Sequence, residues 1–348
     1  MGLTGGCAQT ILVTGGSGFI GSNFIRLMLA ERADVRVVNV DALTYAAAPC
    51  NLADVQDDAR YAFVHADVCD KVAMADVFAR FAPDVVVHFA AESHVDRSIA
   101  QPGLFQRTNV EGTLALLDAA RTAWMREGGF GEGRLFVHVS TDEVYGDLPF
   151  AQADGPARSD AFAEDAPLLP RSPYAASKAA AEMFVRSYWQ TYGLPAIVVR
   201  CSNNYGARQH SEKFIPKAIS CALEGRTFPL YGSGCNVRDW LYVEDCCRGI
   251  GAAAVKGVAG QVYNLGGGCA LSNSSLLDEL RAVLRDMGFG DAAAFSVEHV
   301  ADRLGHDRRY AMNCEKAARE LGWRPATPFA EGLRATVAWY AERMGGRS

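Results

Sequence analysis

Three glycines, Gly15, Gly18 and Gly21, constrain this chain more than any other feature: they stand three apart, directly after the apolar run TILV. A strand that turns through glycines into a helix leaves unpaired N–H groups at the helix start, where the dipole also favours negative charge. The glycines allow a tight turn and let a pyrophosphate come close to the backbone. The GxxGxxG spacing differs from the G-x-G-x-x-G of simple dehydrogenases, but the physics is the same. A glycine triplet can also be a plain structural turn. The dinucleotide reading is favoured by the strand–turn–helix setting and by Asp41, twenty positions after Gly21. A carboxylate closing the second strand accepts from adenosine ribose hydroxyls and repels a 2′-phosphate, so NAD is expected over NADP. Asp67 ends the third strand. It fits a contact to adenine, or equally a strand-end turn.

Apolar runs at 10–15, 35–41, 61–67, 84–90, 134–140 and 195–200 predict strands. Helices are expected over 19–32, 104–126 and 174–192. Short apolar runs separated by helices predict an α/β fold, a Rossmann doubly wound parallel sheet. Residues 147–172, rich in Ala, Asp and Pro, show no period and read as a long loop of the kind that forms lids or binding loops. Beyond Arg200, turns rich in Gly and Pro alternate with short elements. They predict a smaller, non-contiguous C-terminal substrate domain. The expected division is an NAD-binding unit of 1–200 plus about 239–266, and a nucleotide-sugar-binding unit of about 201–238 plus 267–348.

Composition excludes several classes. The 348 residues carry a net charge of −6 with both signs interspersed, and no basic block points to nucleic acid. No polybasic amphipathic stretch, signal-like leader or apolar run long enough for a bilayer is present, so a cytoplasmic protein without membrane contact is expected. The ten cysteines are scattered without a CxxC pair, and Cys246–Cys247 has no second pair to complete a zinc site. Reduced thiols serving as small hydrophobes, with no metal site, are expected.

Two groups of residues carry chemistry. Tyr174 and Lys178 stand four apart in YAASK, one turn apart on one helix face. A phenol is a poor base near its ordinary pKa of about 10, but a neighbouring ammonium and an oxidised nicotinamide favour the phenolate. Tyr174 could then take a proton from a sugar hydroxyl while hydride leaves the same carbon, and Lys178 could hold the nicotinamide ribose. The fifth predicted strand ends in Thr141, Asp142 and Glu143. The carboxyl end of a central strand is where open α/β sheets bind ligands. Two adjacent carboxylates there read either as helix-capping residues or as an acid and a base whose pKa values repel each other apart. In the second reading, oxidation of a sugar at C4 acidifies C5–H. Glu143 removes that proton, Asp142 protonates the departing C6 hydroxyl, and hydride returns to C6. Thr141 would hydrogen-bond the C4 oxygen. The cofactor is regenerated within each turnover.

With the motifs TGGSGFIGS, HFAAESHVDRSI, STDEVYGD, SPYAASK, CSNNYG, RDWLYVEDCCRG and DRLGHDRRY in view, the chain resembles the extended short-chain dehydrogenase/reductase family. Within it, it is most similar to the dTDP-glucose 4,6-dehydratases, from about Ile11 to the C-terminal helix. The resemblance implies bound NAD, a nucleotide-sugar substrate and a homodimer paired through the helices over 104–126 and 174–192. For the cofactor it implies contacts from Phe19, Ile20, Leu43, Thr44, Val68, Ala90, Ala91, Thr108 and Asn204, beside the glycines, Asp41, Asp67, Tyr174 and Lys178. For the substrate it implies Ser93, Thr141, Asn203, Lys213, Phe214, Pro229, Leu230, Tyr231, Arg238, Asn273, Arg303 and His306. Arginines in that set suit a diphosphate, since the protein is acidic overall. The chain departs from the family at Leu304, where proline is usual in DRPGH, and at Ala207, where proline follows the glycine of SNNYG. A 4,6-dehydratase of another NDP-hexose and a nucleotide-sugar 4-epimerase are the rival readings. The epimerase needs no acid–base pair such as Asp142–Glu143. UDP-glucuronate decarboxylases and GDP-mannose-type dehydratases are disfavoured by Asp142 and Asp41.

Overall fold

The computed structural model describes residues 9–149 and 161–345. Alternation within each strand sets the architecture. In β1 (Gln9–Thr14), Ile11 and Val13 point to one face while Leu12 points to the other, and all three are fully buried. Such two-sided burial belongs to a parallel sheet covered by helices on both faces. The chain continues through α1 (Phe19–Glu31), β2 (Val35–Asp41), β3 (Tyr61–His65), α2 (Lys71–Phe81) and β4 (Val85–His88). Next come α3 (Val95–Ala100), α4 (Pro102–Phe105), a π-helical turn (Gln106–Glu111) and α5 (Gly112–Trp124). A short hairpin of β5 (Met125–Arg126) and β6 (Gly129–Phe130) leads into β7 (Leu135–Thr141), whose end winds into a 3-10 turn (Asp142–Tyr145). Then follow α6 (Pro173–Tyr192) and β8 (Ala196–Cys201).

The remaining elements are β9 (Asn203–Tyr205), α7 (Phe214–Leu223), β10 (Phe228–Tyr231), β11 (Val237–Tyr242), α8 (Val243–Lys256), β12 (Val262–Leu265), β13 (Ala270–Ser272), α9 (Asn273–Asp286), β14 (Val297–Val300), α10 (Glu315–Leu321) and α11 (Phe329–Gly345). The main sheet runs β3-β2-β1-β4-β7-β8-β12, with every pairing parallel. Its order reverses between β1 and β4, and ligands of open α/β sheets bind at such a switch point. One face is covered by α1 and α8, the other by α2, α5 and α6. A third core lies between α7, α9 and α11 and includes Tyr205, Leu230 and Trp240 from the strands of two small sheets, β13-β11-β9 and β10-β14.

Two local differences from the sequence expectation have physical causes. The helix expected over 104–126 is interrupted by the π-helical turn. That winding aims Asn109 at the Glu92 backbone (3.0 Å) and at Ser177 (2.8 Å). Residues 315–323, expected in the smaller unit, return to the large core, where Ala317, Leu321 and Trp323 are buried. Of the loop expected over 147–172, residues 150–160 lie outside the described residues. The flanking Leu148 and Phe162 form single bridges to Arg309 and Met312.

Local signals fix α6 firmly. Ser172 Oγ accepts from Ala175 N (3.1 Å), Pro173 occupies the first turn, and Gly193 closes the helix with φ 73°. Tyr174 and Lys178 are thereby held at its N-terminal end. Of the ten cysteines, Cys201, Cys221, Cys246 and Cys247 are buried in the cores, and no described cysteine is in a disulfide. No helix among the described residues is long and apolar enough to cross a membrane.

Burial ranks the strand residues. Phe136, fully buried in the central β7, should lose about 3–5 kcal/mol when changed to alanine. Phe63, 44% exposed on the edge strand β3, should lose far less. Urea unfolding of the two variants measures the difference.

Candidate active site

A cavity of about 390 Å³ opens at the switch point between β1 and β4. Its floor exists because three glycines lack side chains. A Cβ on Gly15, whose φ is +69°, would stand 2.6 Å from Ala90 N. One on Gly16 would strike Asn39 Oδ1 at 2.3 Å, and one on Gly21 would strike Gly15 O at 2.4 Å. The loop therefore lies flat on the strand ends, with the N-terminus of α1 exposed to a ligand. Asp41 braces it from β2, accepting from Ser17 N and Leu43 N, both at 2.8 Å. Burial raises the Asp41 pKa, and these two bonds oppose the rise. A cradle shaped by missing Cβ atoms, with an acidic residue on its wall, fits NAD.

Gly15, Gly18, Phe19, Ile20, Gly21, Asp41, Thr44, Asp67, Val68, Ala90, Ala91, Thr108, Tyr174 and Lys178 all line this cavity, as do Ser93 and Lys213 from the substrate set. Leu43 and Asn204 do not. Leu43 turns the chain with φ 51°, and Asn204 Nδ2 donates back to Ser202 O (2.9 Å). The wall also contains residues that sequence reasoning missed. Arg107 pairs with Asp67 (3.2 Å), and Glu92, His210 and Glu212 close the far side. Arg107 could have been suspected from its place beside Thr108. Glu92 could likewise have been suspected from its place between Ala91 and Ser93, whereas His210 and Glu212 carry no local pattern, because loop contacts alone bring them to the cavity.

The catalytic candidates meet where β7 ends. Thr141 Oγ1 donates to Asp142 Oδ1 (3.2 Å) and accepts from Glu143 N (3.3 Å), capping the short turn that carries both carboxylates. Asp142 is buried, and its Oδ2 has no hydrogen-bond partner among the described residues. Burial, then the charges of Glu143 and Asp239, push its pKa well above the usual carboxylate range. Glu143 is also raised by burial, and Arg238 is the first cation to oppose that rise. Both carboxyls are thus pushed toward the protonated form, Asp142 the further, and Arg238 opposes the rise at each, an inequality that suits an acid–base pair.

Tyr174 is raised as well, by burial and then by Glu143, while a hydrogen bond with Thr141 opposes the rise. The protein's own groups thus favour the neutral phenol, and added positive charge is what would oppose them. Lys178 Nζ donates to Val139 O (2.8 Å), and its pKa is lowered by burial to about 8.

The remaining substrate candidates border the smaller sheets. Arg238 donates to Val237 O (2.8 Å) and Asp307 O (2.9 Å) and lies over the Tyr310 ring at 4.5 Å. Arg303 forks onto Asp96 of α3 at 2.6 and 3.0 Å, and the Tyr231 hydroxyl donates to the same carboxylate (3.3 Å). His306 pairs with Asp302 (2.7 Å), and Lys213 Nζ donates to Ser93 O (3.0 Å). Asn203 keeps a buried Oδ1 without a partner among the described residues. Asn273 opens α9, Pro229 sits in β10 beside buried Leu230, and Phe214 opens α7 with its ring against Phe228 (5.1 Å) and Trp240 (6.3 Å). Leu304 is exposed at the tip of its loop. Ala207 O accepts from Asn23 Nδ2 of α1 (3.0 Å). No cluster of potential metal ligands is found among the described residues.

Comparison with known proteins follows the same lines. A family model described as GDP-mannose 4,6 dehydratase matches residues 12–336. The dTDP-glucose 4,6-dehydratase of Shigella flexneri is 49% identical over 95% of this chain and 92% of its own length. The dTDP-glucose 4,6-dehydratase DesIV from Streptomyces venezuelae, solved with NAD bound, superposes with a TM-score of 0.86 at 46% identity, covering 97% of this chain and 98% of its own. The UDP-glucose 4-epimerase of Thermotoga maritima reaches a TM-score of 0.82 at 27% identity, covering 97% of this chain and all of its own. The glycine cradle, the Tyr174–Lys178 helix and the Asp142–Glu143 turn thus accompany near-half identity along almost the whole chain, which belongs to the dTDP-glucose 4,6-dehydratases of the extended short-chain dehydrogenase/reductase family.

Proposed function

We propose that this chain converts dTDP-glucose to dTDP-4-keto-6-deoxyglucose, a deoxysugar precursor, with tightly held NAD. The observation that carries the reading is the turn Asp142–Tyr145. It places two carboxyls side by side, Asp142 pushed further toward its protonated form than Glu143, within electrostatic reach of Tyr174 on the wall of the dinucleotide cavity. When bound, NAD supplies a hydride acceptor for C4, positive charge, and the return of that hydride to C6. The cradle residues, Asp41 and Thr108 would hold it, with Lys178 toward the nicotinamide ribose.

The protein's own groups manage the protons. Tyr174 needs positive charge to give up its proton, since burial and Glu143 hold the phenol neutral. Thr141 orients the phenol and caps the acid–base turn. Glu143 takes the C5 proton once a C4 ketone acidifies it and gives a proton back to C5 after C6 is reduced, and Asp142 gives its proton to the departing C6 hydroxyl. Arg238, Arg303 and Lys213 would face the diphosphate, with Ser93, Asn203, Tyr231, Asn273 and His306 along the sugar and nucleoside. A 4-epimerase has no use for two adjacent carboxyls at this turn.

The division into an NAD-binding unit and a nucleotide-sugar unit is proposed with residues 315–323 moved to the first, because they pack in its core. A cytoplasmic location is supported by the free thiols of every described cysteine. A homodimer through α5 and α6 is supported by Met183, Phe184 and Tyr192, which α6 exposes to 47%, 38% and 44%.

Purified protein incubated with dTDP-glucose and no added NAD is expected to yield a product lighter by one water, absorbing as a 4-keto sugar in alkali. An unchanged mass would refute the dehydratase, and a parallel UDP-glucose incubation tests the base. The rate should fall at low pH as Glu143 takes up a proton, above the ordinary carboxylate range because its pKa is raised. It should fall again as pH rises past about 8, where Lys178 loses its ammonium. Lys178→Arg should move the alkaline limb upward, and a pH–rate profile of both proteins checks this. Sedimentation should give twice the chain mass, and Met183→Glu should shift it toward the monomer.

A further inference from the structure

One buried guanidinium ties the two halves of the catalytic machinery together. Arg200 of β8 forks onto Glu182 of α6, Nη2 to Oε2 at 2.7 Å and Nε to Oε1 at 3.2 Å, with both side chains almost wholly buried. Its Nη1 donates to the Tyr145 hydroxyl (2.7 Å) and to Glu164 O (3.1 Å). Tyr145 in turn donates to Asn264 Oδ1 (2.8 Å), and its ring lies under the guanidinium at 4.6 Å. Glu182 is four residues past Lys178 and eight past Tyr174 on the same helix, while Tyr145 ends the turn that carries Asp142 and Glu143. The fork therefore spans from the redox pair to the acid–base pair, and β8 lies directly beside β7.

The pieces are rigid. A guanidinium fork fixes direction as well as distance. Phe162 stacks on Tyr145 at 4.7 Å and 11°, and Asn264 Nδ2 donates to Phe162 O (3.0 Å). Burial of an ion pair adds little to stability by itself, so its conservation of geometry is the more telling property. Glu182 also supplies the negative charge that opposes the loss of the Lys178 proton.

We infer that Tyr145, Arg200 and Glu182 are positioning residues that set the acid–base turn against the Tyr174–Lys178 helix, so that water loss keeps pace with C4 oxidation. This rests on the dehydratase reading above. The test uses holoenzyme and dTDP-glucose in deuterated water, with Tyr145→Phe, which removes one hydroxyl and keeps the ring. Oxidation at C4 should proceed while elimination lags. Reduced nicotinamide absorbance should therefore accumulate, deuterium should enter C5 late, and kcat should fall by about tenfold to a hundredfold with KM within about twofold. Arg200→Lys keeps the charge but not the fork. It should give the same lag, and it serves if the first variant does not fold. Equal slowing of both steps, or a lowered thermal midpoint with the balance of steps unchanged, would overturn the positioning role alone. Native enzyme that makes no 4-keto sugar would overturn the assigned reaction and the inference with it.

Discussion

The close approach of the Gly15–Gly21 loop to the ends of β1 and β4 is the constraint on which the rest of the site depends. With Ala90 N and Gly15 O only 2.4–2.6 Å from where side chains would begin, the loop has one place to lie. Asp41 secures it through Ser17 N, so the second strand sets the height of the phosphate loop before any ligand arrives. The N-terminus of α1 then points into the cavity, and Tyr174 and Lys178 reach the same cavity from α6. A parallel sheet buried on both faces makes this possible, because its carboxyl ends are the one edge where several loops can converge.

Burial also sets the chemistry. At the end of β7 the same loss of water raises Asp142, Glu143 and Tyr174 and lowers Lys178. Every group is pushed toward its neutral form, and the differences among them come from neighbours. Glu143 adds to the rise of Asp142, and Arg238 offsets part of that of Glu143. The protein thus holds its proton donors loaded, and positive charge brought by a ligand is what would release the phenol.

Much of this was legible from residue order. Two-sided burial wrote continuous apolar strands, and the glycine triplet could be read because its setting between strand and helix is local. Tyr174 and Lys178 were found by a one-turn spacing, and Thr141, Asp142 and Glu143 by adjacency. The same spacing left the surroundings of Lys178 open. A four-residue interval places a lysine near a tyrosine, yet it says nothing of Val139 O, which accepts from the ammonium. Leu43 and Asn204 were matched by motif, but their side chains follow a turn and a strand rather than the cavity wall.

By itself, the sequence determined the α/β class, the dinucleotide cradle and the candidate catalytic groups, because periodicity, turn chemistry and short spacings are properties of neighbouring residues. The tertiary structure alone decided what crosses the chain. Arg303 meets Asp96 from 207 positions away, Tyr145 meets Asn264 from 119, and α10 returns to the large core. It also decided the π-helical turn that aims Asn109 at Ser177. No local pattern encodes such contacts. They form when packing closes the loops between distant segments, and buried polar groups then take whichever partners the closed fold brings within reach.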